Sequence, residues 1–204
     1  MRIEASGLDR AAAHDLLKGC VTPRPVAWIS TLGPGGVANA APYSCFTFLA
    51  TQPPMVCFCA EPRADGREKD TLRNCLHSGD FVVNVASDDL AEAINQTAAD
   101  YPPEISELEA VGLTSLPGER VRSPRIAQCP ISLECRVSQV LPLGQSGHRL
   151  VIGEVLLFHI RDDLYRDGEI DQQRLRPLAR LAGNQYARLG EVFELDRPWR
   201  RQPS

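Results

Sequence analysis

The chain has 204 residues, 43% of them hydrophobic and 24% charged, with a formal net charge of −4. That length suits one domain with one sizeable core, and the acidic balance argues against a general nucleic-acid binder, which needs a basic surface. The one basic cluster, Arg197, Arg200 and Arg201, reads as a solvated tail. The N-terminal stretch carries early acidic residues and no continuous apolar core, so it does not read as a signal peptide. The most apolar run, 150–160, is interrupted by Gly153 and Glu154 and falls well short of the roughly 20 residues of a membrane helix. Seven cysteines without a CxxC pair indicate neither a disulfide framework nor a zinc site, and fit reduced thiols in a cytoplasm.

In chain order, residues 8–17 suit a short helix ending near Gly19. Residues 25–32 are β-rich and stop at the strong turn signal Gly33-Pro34-Gly35-Gly36. An extended segment follows over 37–48, with Pro42 marking an irregular or edge position. Residues 55–60 are a short apolar run of buried-strand type, in which Cys57 and Cys59 share a face as small packed thiols. A polar loop fills 61–69, and Asp70 stands where it can cap a helix over 71–77 that ends at Gly79. A strand over 81–86 and a helix over 90–99 come next. The stretch 101–128, with Pro102, Pro103, Pro117 and Pro124, is a long excursion. Segments 131–141 and 149–161 form a long hairpin around the loop 142–147, and the remainder is loops and short helical turns. Many strands, few short helices and no βαβ alternation predict a mainly β fold, a β-barrel with peripheral short helices. No GxGxxG follows a strand and no GxxxxGK[ST] occurs, so nothing indicates a dinucleotide-binding parallel sheet or a P-loop.

Three segments carry candidate chemistry. The first runs from Arg24 through Thr31 and, past the glycine turn, from Asn39 through Phe48. Small residues there let a flat ligand approach backbone N–H and C=O groups, and Trp28, Tyr43 and Phe46 could stack on its ring or could simply fill a barrel core. The second is Arg67-Glu68-Lys69-Asp70-Thr71 at a loop-to-helix junction. A helix N-terminus offers free N–H groups and a positive partial charge, Lys69 adds a full charge and Thr71 a hydroxyl, which together suit a phosphate; a solvated loop before a capped helix is the alternative. The third is 178–186, where Asn184 and Tyr186 could complete a pocket or belong to a docking tail.

Taken together, the order RPVAWIST, turn, NAAPYSCFTF and QPP, then KDTLRN with GDFVVNV, then ARLAGNQYARLGE resembles the flavin reductase-like, FMN-binding split-barrel family from about Pro23 to about Pro198. The resemblance implies one domain over 1–204 with its core at about 20–198, a split-barrel homodimer, FMN near the subunit interface, and reduction by NADH or NADPH. It further implies that Asn39, Ala41, Pro42, Tyr43, Ser44, Cys45, Phe46 and Thr47 line the isoalloxazine and ribityl chain, largely through backbone. Lys69, Asp70 and Thr71 would hold the phosphate or its neighbourhood, while Trp28, Asn184 and Tyr186 would sit against the cofactor, Tyr186 from the neighbouring subunit in one arrangement. Cys45 and Thr47 depart from the family, which often has an aromatic and an asparagine there.

Hydride transfer between stacked nicotinamide and flavin depends on ring alignment more than on an acid or base, so no catalytic residue is assigned. His14 and His77 read as surface helix positions and His148 as part of a hairpin loop, while His159 lies on a strand where it could approach a ligand or be a satisfied structural histidine. The expected function is an NAD(P)H-dependent flavin reductase of the cytoplasm with FMN as cofactor and an oxygenase or other electron acceptor as a possible partner. The alternatives are an FMN-dependent electron-transfer protein without that activity and a non-catalytic binding dimer. No metal, nucleic acid or membrane is expected.

Overall fold

The computed structural model describes residues 1–196, so Arg197, Arg200, Arg201 and the last two residues of the expected 20–198 core lie outside the described residues. Helix α1 (Arg10–Cys20) is capped by the Asp9 carboxylate, which accepts the Ala12 N–H at 2.8 Å. Then follow β1 (Arg24–Pro25), β2 (Ala27–Leu32), β3 (Ala38–Tyr43), β4 (Phe46–Thr51), β5 (Pro54–Ala60), α2 (Asp70–Ser78) and β6 (Asp80–Val85). Helices α3 (Ala91–Gln96) and α4 (Glu107–Ala110) and the short ribbon β7 (Ser115–Leu116) and β8 (Arg125–Ile126) occupy the proline-rich excursion and its approach. The long hairpin is β9 (Ile131–Leu143) and β10 (His148–Ile160), after which come β11 (Tyr165–Arg166), β12 (Glu169–Ile170), α5 (Gln172–Leu175), β13 (Ala179–Arg180) and β14 (Tyr186–Ala187).

Seven strands form one antiparallel sheet in the order β3-β2-β6-β9-β10-β5-β4. Strands β3 and β4 are consecutive in the chain yet stand at opposite edges of this sheet, joined only by Ser44 and Cys45. The sheet has therefore rolled until its two edges meet at that corner, which is a barrel split along one seam. Tyr43 on one edge strand packs on Phe58 of β5 at 4.8 Å between ring centroids and closes the seam from within.

Period-two alternation on β2 accounts for two cores. Ala27 and Ile29 face the barrel interior with Phe58, Phe81, Val83, Cys135 and Val151. Their neighbour Trp28 faces out, into a second cluster with Ala40, Ile94, Leu108, Ile126 and Leu178. Inside the barrel, Gly153 on β10 leaves room for Phe81, since a Cβ at Gly153 would fall 2.4 Å from Phe81 Cζ. Helix α2 ends as expected at Gly79, with φ 75°, the left-handed cap that glycine adopts without strain. Its N-terminus differs from expectation. Lys69 holds the cap position, and Asp70 is the first helical residue and makes no cap bond because its carboxylate is engaged by Arg63 at 2.6 Å and by Arg73.

Buried carboxylates pin the excursion to the barrel. Glu134, fully buried on β9, accepts the backbone N–H groups of Glu119, Arg120 and Val121 at 3.0, 2.6 and 3.2 Å and pairs with His159 Nε2 at 2.6 Å. Asp80 on β6 accepts the Arg122 and Ser123 N–H groups, each at 3.2 Å. Of the two readings of His159, the pairing with Glu134 is that of a satisfied structural histidine.

Candidate functional site

At the seam the chain passes from one sheet edge to the other: Pro42 and Tyr43 still pair with Trp28 and Ala27 of β2, Ser44 and Cys45 belong to neither edge strand, and the Cys45 carbonyl accepts the Cys59 N–H at 2.9 Å. A cleft of about 300 Å³ opens there. Of the residues expected at the site, Pro42, Tyr43, Ser44, Cys45, Lys69 and Tyr186 line it together. Asn39, Ala41, Asp70 and Thr71 line an adjoining recess of about 50 Å³, which shares Pro42, Lys69 and Ala98 with the cleft. The first two candidate segments, about thirty residues apart in sequence, are thereby brought to one place.

Trp28 requires correction. It is fully buried on the outer face of β2, its indole N–H donates to Thr97 Oγ1 at 2.9 Å, and it does not line the seam cleft. The alternative reading of that aromatic as core is the one the structure supports. Phe46 packs against the barrel core, Thr47 is exposed with its hydroxyl on the Phe48 carbonyl at 3.3 Å, and Asn184 is exposed in the turn before β14. None of the three is among the cleft-lining residues.

The recess is organised by a polar network. Thr71 donates its hydroxyl to Asn39 Oδ1 at 2.8 Å, and Thr31 does so at 3.2 Å. Asn39 Nδ2 donates to Glu107 Oε1 at 2.6 Å, and the Ala40 N–H to Glu107 Oε2 at 3.0 Å. Glu107, from α4, was not anticipated, because nothing local in the excursion signals that it reaches back to β3. Burial pushes its carboxyl above the usual carboxylate range, although the bonds from its own backbone, Ala40 and Asn39 oppose the shift. Since the single Thr71 proton is given to Asn39, the phosphate donors expected at this junction reduce to the Lys69 ammonium and backbone N–H groups.

The cleft is cationic and soft-walled. The Lys69 ammonium lies 5.9 Å from the centre of the Tyr43 ring. The Tyr43 hydroxyl is buried without a hydrogen-bond partner, and burial raises its phenol well above its ordinary value, with Thr71 opposing. Burial also raises the Cys45 thiol, and raises Cys59 to about 11, so both stay protonated near neutral pH and are weak nucleophiles. Arg24 binds the site together: its guanidinium donates to the Lys18 carbonyl at 2.8 Å, the Leu181 carbonyl at 2.9 Å and Ser44 Oγ at 3.3 Å. One side chain thus ties α1, the seam corner and the C-terminal segment. Arg180 of β13 stacks on Tyr186 of β14 at 4.4 Å. His14, Lys18, Cys59, Glu61 and Arg180 also line the cleft, and none of them is assigned to a site by the sequence alone. No helix among the described residues is long and apolar enough to cross a membrane.

Comparison with known proteins agrees with this architecture. The family model of the flavin reductase like domain matches residues 19–179. An uncharacterized protein of Halalkalibacterium halodurans is 43% identical over 202 residues, covering 97% of each chain. The crystal structure of nitrilotriacetate monooxygenase component B from Bacillus cereus superposes with a TM-score of 0.92 at 38% identity, over 96% of this chain and 98% of the other. Pseudomonas fluorescens 2-nitrobenzoate 2-nitroreductase superposes with a TM-score of 0.84 at 32% identity, over 100% and 99%. With a split barrel, a cleft at its seam and a family match over most of its length, the chain belongs to the flavin reductase-like domain family.

Proposed function

We propose that this chain binds FMN in the seam cleft and accepts reducing equivalents from NADH or NADPH, acting as a flavin reductase. The observation that carries the reading is the combination at the seam: the corner Ser44-Cys45, which belongs to neither edge strand, beside an ammonium, Lys69, that has no carboxylate partner among the described residues. A flat heterocycle with polar edges and a phosphate tail fits those donors. The backbone of residues 41–45 would meet the ring edge, Tyr43 and Tyr186 would flank it, and Lys69 with the first N–H groups of α2 would take the phosphate. When bound, FMN would supply the hydride-accepting ring. The chain's part is to hold that ring flat against the seam and to leave one face open to a second planar molecule.

The location is taken to be cytoplasmic, given the free thiols. A homodimer fits β4, an edge strand that leaves Phe48 and Leu49 exposed at 73% and 47%. A downstream oxygenase fits the similarity to a monooxygenase component B. The test is the visible spectrum of purified, FMN-loaded protein during anaerobic titration with NADH and NADPH. Rapid bleaching near 450 nm by either nucleotide, about the flavin absorption maximum, supports the reductase. A yellow protein that neither nucleotide reduces would instead be an electron carrier.

A further inference from the structure

Cations withdrawn from solvent are normally paired. In this chain Arg63 is held by Asp70, and Arg125 lies 3.8 Å from Glu134. Arg24, Lys69, Arg149 and Arg180 are not exposed and have no carboxylate partner among the described residues, and three of the four, Arg24, Lys69 and Arg180, line the seam cleft. Lys18 is a fourth cation on that wall, although Asp15 stands 3.1 Å from it, and Glu61 is the one carboxylate there. Positive charge is thus concentrated in one cleft of a chain with formal net charge −4, and such a cleft attracts anions.

The cations differ in how much they have left to give. Arg24 is nearly spent on carbonyls and Ser44, so it acts as a fixed charge. Lys69 belongs to the α2 side, where the phosphate of the flavin is proposed. Arg180 lies on the C-terminal strand, directly across the ladder from Arg24. It spends one N–H on the Gly183 carbonyl at 2.6 Å, and Tyr186 supports the face of its guanidinium. Its remaining donors are unspent, and a planar fork held flat on a ring is prepared for a two-oxygen anion.

We propose that Arg180, stacked on Tyr186 and backed by the fixed charge of Arg24, recognises a carboxylate or phosphate on the second ligand of the cleft, the molecule that lies beside the flavin. The electron donor or acceptor is thus selected for an anionic group. The inference rests on the flavin reading above for the identity of the first ligand.

Calorimetric titration of the purified protein, with and without saturating FMN, tests it through two matched pairs. Benzoate is compared with benzamide, and nicotinamide mononucleotide with nicotinamide riboside. The anionic member of at least one pair should bind about tenfold or more tightly than its partner, and Arg180→Gln should abolish that preference while Arg180→Lys keeps part of it. A preference in the first pair names a carboxylate, and in the second a phosphate. Equal affinities within both pairs for the unmodified protein overturn the proposal without recourse to a variant, as does a preference that survives Arg180→Gln. A protein that takes up no FMN contradicts the flavin reading, whereas the flavin-free arm still reads the anion preference.

Discussion

The Thr71 hydroxyl donates to Asn39 Oδ1 at 2.8 Å, joining the first turn of α2 to strand β3 beneath the seam cleft. Asn39 in turn donates to Glu107, so helix, strand and excursion share one buried amide. Thr71→Val removes a bond between buried groups and leaves Asn39 Oδ1 with only the longer contact from Thr31. The variant should lose about 1–2 kcal/mol of stability in urea unfolding, and should weaken FMN and riboflavin alike. Unchanged stability with a selective loss of FMN affinity would return Thr71 to the role of a phosphate donor.

Glu134 holds three backbone N–H groups and His159, and these outweigh the upward push of burial to keep its carboxyl below the usual range. A carboxyl depressed on folding contributes stability that is present above its unfolded pKa and lost as pH falls through the folded value. Glu134→Gln should therefore cost about 3 kcal/mol at pH 7 and less at about pH 4, narrowing the gap between variant and parent. Equal losses at both pH values would exclude this ionisation as the source.

Gly153→Ala should destabilise the barrel by about 1–3 kcal/mol, because the new methyl would meet the Phe81 ring. Combining it with Phe81→Leu should recover part of the loss, as expected for neighbours that compete for one space. Denaturant midpoints of the two single variants and the double variant measure this, and simple additivity would contradict it.

The exposed edge strand β4 predicts self-association. Light scattering at low micromolar concentration should give roughly twice 22.4 kDa. Phe48→Asp, at a residue 73% exposed in the isolated chain, should shift the protein toward monomer with its fold intact. A monomeric parent would remove the shared-site arrangement.

How much of this could be read from the sequence follows from the range of the interactions involved. Strands and turns announced themselves through local signals: the Gly33–Gly36 turn, Gly79 at the end of α2, and the hairpin of β9 and β10. The clustering of 42–45 with Lys69 came from the order of motifs rather than from periodicity. Trp28 misled because alternation assigns it a face without saying what covers that face, and α3 and α4 pack there. Arg24 and Arg180 lie inside the first and third candidate segments without an assigned role, and Glu107 was not singled out: Arg24 and Glu107 act across many residues of sequence, as in the Arg24 bond to the Leu181 carbonyl, and a lone arginine or glutamate carries no local signature of its partner. Asp70 looked like a cap by position, but a competing pair of arginines engages it.

The central claim is that FMN occupies the seam cleft with its phosphate at Lys69, and calorimetry with FMN and riboflavin on the parent and Lys69→Ala tests it most directly. The parent should bind FMN with micromolar or better affinity. Lys69→Ala should weaken FMN by roughly 10–150-fold, the equivalent of about 1.5–3 kcal/mol for one charge-assisted contact, while riboflavin, lacking the phosphate, should change little. A parent protein that shows neither heat nor spectral change with FMN contradicts the account, and equal weakening of both flavins by Lys69→Ala contradicts the placement of the phosphate.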